Sequence, residues 1–295
     1  MNLRVTQTML NQNMIRQVNG SYRKLESLQT QIATGKQINK PSDDPYGATR
    51  IMDYSSKIRE IETFQRNTTE ALNWLDMTDD MLLKANELLI RAKEIIVQGS
   101  QDSFGMQSRE AVADELSQLK LNLGDIANTT YKGRFIFAGG ETNRAPFDGQ
   151  NLVTENLDQR MVEVTQGSYL PINVPGKELF GQDEGIFALF DQVIADLRDS
   201  SRSGAEITYH LTTLEAQQDH FVTMQSTVGA RVNRVEQSID RLAAQWTSFN
   251  KYCSDIQDTD IAKAVMELTA QENTHQAALS AGARVIQQTL VDFLR

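Results

Sequence analysis

The chain has 295 residues and a formal net charge of −10. An acidic chain is a poor match to duplex nucleic acid, which calls for a basic stripe, and no stretch approaches the ~18 apolar residues of a membrane span. One cysteine, Cys253, leaves no intrachain disulfide and reads as a small buried apolar residue.

The first helix is expected from about Thr6 to Thr34. Its stripe is Leu10, Met14, Val18, Tyr22, Leu25, Leu28 and Ile32, and Gly35 suits the position past its end. This opening segment is basic. Residues 1–40 carry Arg4, Arg16, Arg23, Lys24, Lys36 and Lys40 against Glu26 alone. The excess reads either as a solvated helix face or as a surface for a partner or for export. Met1–Gly20 has no apolar h-region and no A-x-A site, so no cleaved signal is expected.

The second helix starts at Pro45. Asp44, held extended by the proline, suits the N-cap, and Pro45 suits the first helical position. No proline interrupts 46–145. The seam runs Ile51, Tyr54, Ile58, Ile61, Gln65, Thr68, Leu72, Leu75, Leu82, Leu89 and Ile96. Trp74, Met77, Met81, Ala85, Leu88, Ala92 and Ile95 broaden it. A stripe that broad should touch two helices.

A third helix, about Gln107–Asn128, carries Val112, Leu116, Leu119, Leu123 and Ile126. Residues 131–180 gather Gly and Pro. They alternate in period two over Arg160–Thr165 and part of Tyr169–Val174, which predicts a small β region leaning on the helices. A short helix follows over Gly185–Asp199.

From Ile207 to Ile256 one 4-3-4-3 register holds, with only Gln218 and Gln225 polar. Such a helix is roughly 75 Å long and needs another helix along its seam. The partner expected is the chain's own Pro45–Gln98 helix. That pairing puts Leu72, Leu75, Leu82 and Leu89 with Val232, Val235, Ile239, Leu242, Trp246 and Phe249 in a rod core. Asp258 and Asp260 offer caps for a last helix with Ile261, Val265, Leu268, Leu279, Ile286 and Phe293 on its stripe. Polar Glu272 and His275 fall among them, and Ala277, Ala278, Ala281, Gly282 and Ala283 thin one side.

The fold class expected is mainly α: a long antiparallel helical rod or coiled-coil bundle built from both chain ends, with a small central β domain.

Little in the chain points to chemistry. His210, His220 and His275 lack metal-ligand spacing and read as ordinary helix residues. Gly35-Lys36 lacks the rest of a phosphate loop, and the glycines of 133–140 do not make a dinucleotide fingerprint. Asp43-Asp44 and Asp258/Asp260 read as caps ahead of metal or acid–base pairs. No catalytic, metal or cofactor residue is assigned.

Both ends resemble bacterial flagellin and its hook-associated relatives. At the front stand Leu28-Gln29-Thr30-Gln31-Ile32-Ala33-Thr34-Gly35-Lys36, then Ile38-Asn39 and Asp43-Asp44-Pro45. At the back stand Val228-Gly229-Ala230-Arg231-Val232-Asn233-Arg234, Asp258-Thr259-Asp260-Ile261-Ala262-Lys263 and the closing Leu290-Val291-Asp292-Phe293-Leu294-Arg295. Where flagellins show Asp-Asp-Ala-Ala-Gly, this chain has Asp43-Asp44-Pro45-Tyr46-Gly47. The run Gly133-Arg134-Phe135-Ile136-Phe137-Ala138-Gly139 with Pro146-Phe147 looks like the family member that joins hook to filament.

The resemblance implies a nested molecule. Residues 1–40 with 258–295 would form a terminal assembly domain, unfolded in the monomer. Residues 41–135 with 181–257 would form the rod, and 136–180 an outer β domain. Leu10, Met14, Val18, Leu25, Leu28, Ile32, Ile261, Val265, Leu268, Leu279, Ile286, Leu290 and Phe293 would then pack between subunits. Implied partners are copies of the chain in a helical layer, the first hook-associated protein, flagellin and a cytoplasmic export chaperone. The implied location is the extracellular flagellum, reached through the flagellar export apparatus. Flagellin itself, an enzyme hidden in 131–180 and a dimeric signalling coiled coil are the competing readings.

Overall fold

The computed structural model describes residues 7–101, 105–181 and 185–293, with the side chains of 8–284 among them. The expected interface residues Ile286, Leu290 and Phe293 therefore have side chains outside the described residues. The elements in order are α1 (Gln7–Thr34), α2 (Pro45–Gly99), α3 (Met106–Ala127), β1 (Thr130–Tyr131), β2 (Arg134–Phe135), β3 (Met161–Thr165), β4 (Ser168–Pro171), α4 (Gly176–Phe180), α5 (Ile186–Arg198), α6 (Gly204–Gln257) and α7 (Ile261–Phe293).

The chain divides into two compact units. One holds the two chain ends, up to Glu60 and from Trp246; the other is Ile61–Gln245.

Within Ile61–Gln245, the helices bury side chains in rows seven residues apart. In α6 the row is Ile207, Leu214, Phe221, Val228, Val235 and Leu242, each no more than 1% exposed. In α2 it is Ile61, Thr68, Leu75, Leu82, Leu89 and Ile96, flanked by a second row of small residues, Ala71, Thr78, Ala85, Ala92 and Gly99. Small side chains let neighbours approach. A Cβ on Gly99 would stand 2.7 Å from Leu197 Cδ2 on α5 and 2.9 Å from Val112 Cγ1 on α3. Each fully buried Leu, Ile or Phe contributes about 1.5–3 kcal/mol. The buried hydroxyls of Thr68 and Thr78 cost little, because each donates to a carbonyl one turn back, on Phe64 and Trp74.

Of the rod-core residues expected, Leu75, Leu82, Leu89, Val235 and Leu242 are buried, while Leu72, Val232 and Ile239 are half-buried against the same core. Trp246 is a correction: it is 39% exposed. It lies on the other row of the 4-3 register, with Leu211, Gln218, Gln225, Val232 and Ile239, which is half-covered throughout. Phe249 is also only half-buried.

The β region is small and belongs to the same compact unit as the helices around it. It has two antiparallel hairpins. The β1–β2 turn places Lys132 at φ 51° and Gly133 at φ 76°, the two left-handed residues of a tight hairpin turn. The β3–β4 hairpin pairs Met161 with Pro171 and Glu163 with Tyr169, and its strand ends at Pro171. Ile136, Phe137, Val164, Leu170, Ile172, Val174 and Phe180 enter the helices' own core, so the segment has none apart from it. Arg160 caps Trp74, its guanidinium 4.9 Å from the ring centroid. Arg231 on α6 donates to the Asn173 carbonyl at 2.9 Å.

Candidate assembly interface

In the unit built from the chain ends, α1 lies against α7. Its turn to α7 is Asn11, Met14, Val18, Ser21, Leu25, Leu28 and Ile32, at steps of three and four; Leu28 is buried and the others half-buried. The facing row of α7 is Ala264, Leu268, Gln271, His275, Ala278 and Gly282. Ala264 is buried, and a Cβ on Gly282 would collide with the Met14 thioether. Gln271 Nε2 donates to Ser21 Oγ at 2.9 Å, and His275 Nδ1 lies 3.2 Å from the same oxygen. The Tyr22 and His275 rings sit 6.3 Å apart.

The apolar pattern predicts this row only in part. Ile261, Val265 and Leu279 are 54%, 45% and 50% exposed, and of the expected α7 stripe Leu268 and the polar His275 are turned inward among the described residues. Small and polar residues take the inner side because α1 approaches closely there. The large apolar residues are left outside. On α1 the outer side likewise carries Met9, Leu10 and Ile15. The expected interface residues thus split: Met14, Val18, Leu25, Leu28, Ile32 and Leu268 are engaged within the chain, and Leu10, Ile261, Val265 and Leu279 are not.

Beyond α1 the incoming and outgoing chain are stitched together. Gly35 turns at φ 69°. Lys36 bridges Asp258, Gln37 N donates to the Gln257 carbonyl at 2.6 Å, and Thr259 N donates to the Gly35 carbonyl at 3.0 Å. Asp43 Oδ2 accepts from the amides of Asn39 and Lys40 at 3.1 and 2.9 Å. Asp44 caps α2 by accepting from Tyr46 N at 3.1 Å, and Asp260 caps α7 by accepting from Lys263 N at 3.1 Å. Gly47 is needed for space, since a Cβ there would meet Asp44 Oδ2 and Ile38 Cδ1 at 2.5 Å each. The quoted motif residues Gly35, Asp43, Asp44 and Asp260 therefore shape this stitch. Arg234, in the other unit, reaches Ser168 Oγ at 3.4 Å, while Asn233 is exposed and nothing lies within 4 Å of a Cβ on Gly229.

Next to the stitch, Tyr54, Phe249 and Tyr252 form a ring cluster with centroids 5.9–6.2 Å apart. Arg50 donates to the Tyr54 hydroxyl at 3.1 Å, which raises its pKa further. Tyr46 and Met52 are 74% and 57% exposed beside it. A cavity of about 450 Å³ near the stitch is lined by charges of both signs, among them Lys24, Lys263, Asp260 and Glu267. Among the described residues no group of three His, Cys, Asp or Glu side chains is placed to hold a metal ion, and no helix is long and apolar enough to cross a membrane. Sequence reasoning missed the Ser21–Gln271–His275 contact; the polar residues on the predicted apolar stripe were its only signal.

Two long helices from opposite chain ends, paired and stitched, with apolar side chains left on their outer faces, define a helical structural protein. The description of the bacterial flagellin N-terminal helical region matches residues 5–142, and that of the bacterial flagellin C-terminal helical region matches residues 211–294. The chain belongs to the flagellin-like family of flagellar proteins. It is 25% identical over 301 residues to flagellar hook-associated protein 3 of Escherichia coli, covering 92% of this chain and 94% of that protein. It is 24% identical over 272 residues to flagellin of Bacillus subtilis, covering 87% and 88%. The solved flagellar hook associated protein-3 of Legionella pneumophila shares the fold, with a TM-score of 0.64 at 17% identity over 70% of this chain and 98% of that one.

Proposed function

We propose that this chain is a structural adaptor joining the hook to the flagellin filament of a bacterial flagellum, with no catalytic role. The observation that carries the reading is the outer face of α1 and α7, where Leu10, Ile15, Ile261, Val265 and Leu279 stay exposed while a different row of each helix pairs the two. Burying such residues against neighbouring copies offsets the ordering cost of ~1–2 kcal/mol per residue. Contacts of this head-to-tail kind do not close, so they build a helical layer. The near full-length similarity to hook-associated protein 3 supports the junction role.

On this reading the segments through residue 40 and from residue 258 form the assembly domain, unfolded in the free chain and ordered in the layer. Residues 41–135 with 181–257 form the rod, and 136–180 its outer part. One rim of the layer seats on the first hook-associated protein and the other accepts flagellin. The free chain travels with a cytoplasmic chaperone and leaves through the flagellar export apparatus. Mixing soluble flagellin with hook-bearing seeds, with and without this chain, tests the role: growth only with it is expected, and equal growth on both overturns the adaptor.

The near-equal identity to Bacillus subtilis flagellin favours a second reading, the bulk filament subunit. Unlimited growth of this chain on filament seeds would establish that instead.

A further inference from the structure

We infer that Asn19–Gly20 is a self-modification site, where the chain converts its own asparagine to aspartate or isoaspartate whenever α1 is not helical. It is the only Asn-Gly pair in the sequence. Both residues are exposed and lie within α1.

The step needs only water. The Gly20 backbone nitrogen attacks the Asn19 side-chain carbonyl carbon. An N–C bond forms, the bond to the amide nitrogen breaks, and ammonia leaves with the proton lost from Gly20. Water then opens the cyclic imide at either carbonyl, giving aspartate or isoaspartate. Glycine permits the attack because it has no side chain to crowd the ring.

In α1 the step is blocked twice. Helical dihedrals turn the Gly20 nitrogen away from the Asn19 side chain, and its N–H is committed to the carbonyl four residues back. Gly20 also weakens the helix that protects it. Nothing lies within 4 Å of a Cβ built there, so neither packing nor a turn calls for glycine. Asp148–Gly149 supplies a contrast: the Asp148 carboxylate accepts from the amides of Gln150 and Asn151 at 2.9 and 2.8 Å, which holds it off the Gly149 nitrogen.

Isoaspartate routes the main chain through an extra methylene, so the 13-atom hydrogen-bonded rings of α1 cannot continue past residue 19. Met14 and Val18 then lose their registration on α7. This consequence rests on the proposed reading that α1 orders only on assembly: subunits left unassembled age, and assembled ones do not.

The test incubates the full chain at mildly alkaline pH, natively and in urea, and follows the tryptic peptide Gln17–Arg23 by mass and by an isoaspartate-specific methyltransferase. Hydrogen exchange at Gly20 is measured alongside. The native rate divided by the urea rate should equal the open fraction from exchange, within about threefold. Asn19→Gln should abolish the conversion and Gly20→Ala should slow it. Aged native chain should lose incorporation into seeds, and Asn19→Gln chain should keep it. An open α1 with an unconverted native peptide overturns the inference. A protected α1 with proportionately slow conversion supports the chemistry and overturns the reading that the helix is unfolded in the monomer.

Discussion

The ring of Phe147 occupies the space a side chain at Gly124 would need: a Cβ there would stand 2.2 Å from Phe147 Cε1. The ring cannot retreat. It stacks on Phe187 with centroids 4.6 Å apart, and its backbone is held on both sides by the Asn128 amide at 2.8 and 2.9 Å. Gly124→Ala should therefore cost about 1–3 kcal/mol despite the better helix former. At Gly282 the obstacle is the flexible end of Met14. Gly282→Ala should leave stability unchanged or raise it by up to about 1 kcal/mol. Thermal unfolding of the two variants checks the contrast.

The two tryptophans should respond oppositely to solvent. Trp74 is 1% exposed, with Arg160 over its ring and Tyr131 at its edge; Trp246 is 39% exposed. Iodide should quench most of the accessible emission through Trp246, and Trp246→Phe should remove that component. Trp74→Ala should cost about 3–5 kcal/mol by opening a core cavity. Equal quenching of Trp74→Phe and Trp246→Phe proteins would refute the assignment.

Asp76 should make the fold less stable near neutrality. Its pKa is raised, first by partial burial and then by repulsion from Glu236, Asp80 and Asp79. A carboxyl with a raised folded pKa favours the protonated form in the native state. Its penalty is therefore full above the folded pKa and disappears as pH falls through it toward the unfolded value. Asp76→Asn should raise the melting temperature at pH 7, and the gain should vanish at about pH 3. A gain independent of pH would show that the charge on Asp76 is not the cause.

Inner and outer faces of the terminal helices should separate in mutagenesis. Ile261→Ser with Val265→Ser and Leu279→Ser should leave the unfolding of Ile61–Gln245 unchanged and abolish incorporation into hook-bearing seeds. Ser21→Ala should cost about 0.5–1.5 kcal/mol of α1–α7 pairing through the lost Gln271 bond. Incorporation measured by sedimentation, with circular dichroism for the fold, distinguishes the two. Full incorporation of the outer-face triple variant would remove the basis for the interface.

Local rules made most elements legible. Pro45 with Asp44 marked the start of α2, Gly35 the end of α1, and Asp260 the start of α7. The heptad spacing of Ile207–Leu242 announced a buried row. What the pattern could not say was which row a helix turns to its own chain. Hydrophobic periodicity reports apolar residues without saying what covers them. In α7 the apolar stripe through Ile261, Val265 and Leu279 is exposed, and Ala264, Ala278 and Gly282 face α1 because close approach favours small side chains there. Trp246 failed for the same reason, since a 4-3 register names two rows and the fold closes one. The β segment was too short to hold a core of its own, and Phe137, Ile172 and Phe180 find their apolar neighbours on the helices.

The stitch at Lys36 and Asp258 bears on how disorder spreads. Fraying that starts in the outer turns of α1 or α7 can run inward one turn at a time. At Gly35 and Thr259 it meets two backbone hydrogen bonds between the strands of the crossing and the carboxylates of Asp43, Asp44 and Asp260 behind them. All of these must break together before unwinding reaches Pro45 or Gln257. On the proposed reading the crossing is a firebreak: the ends melt and refreeze while the helices behind them keep their place.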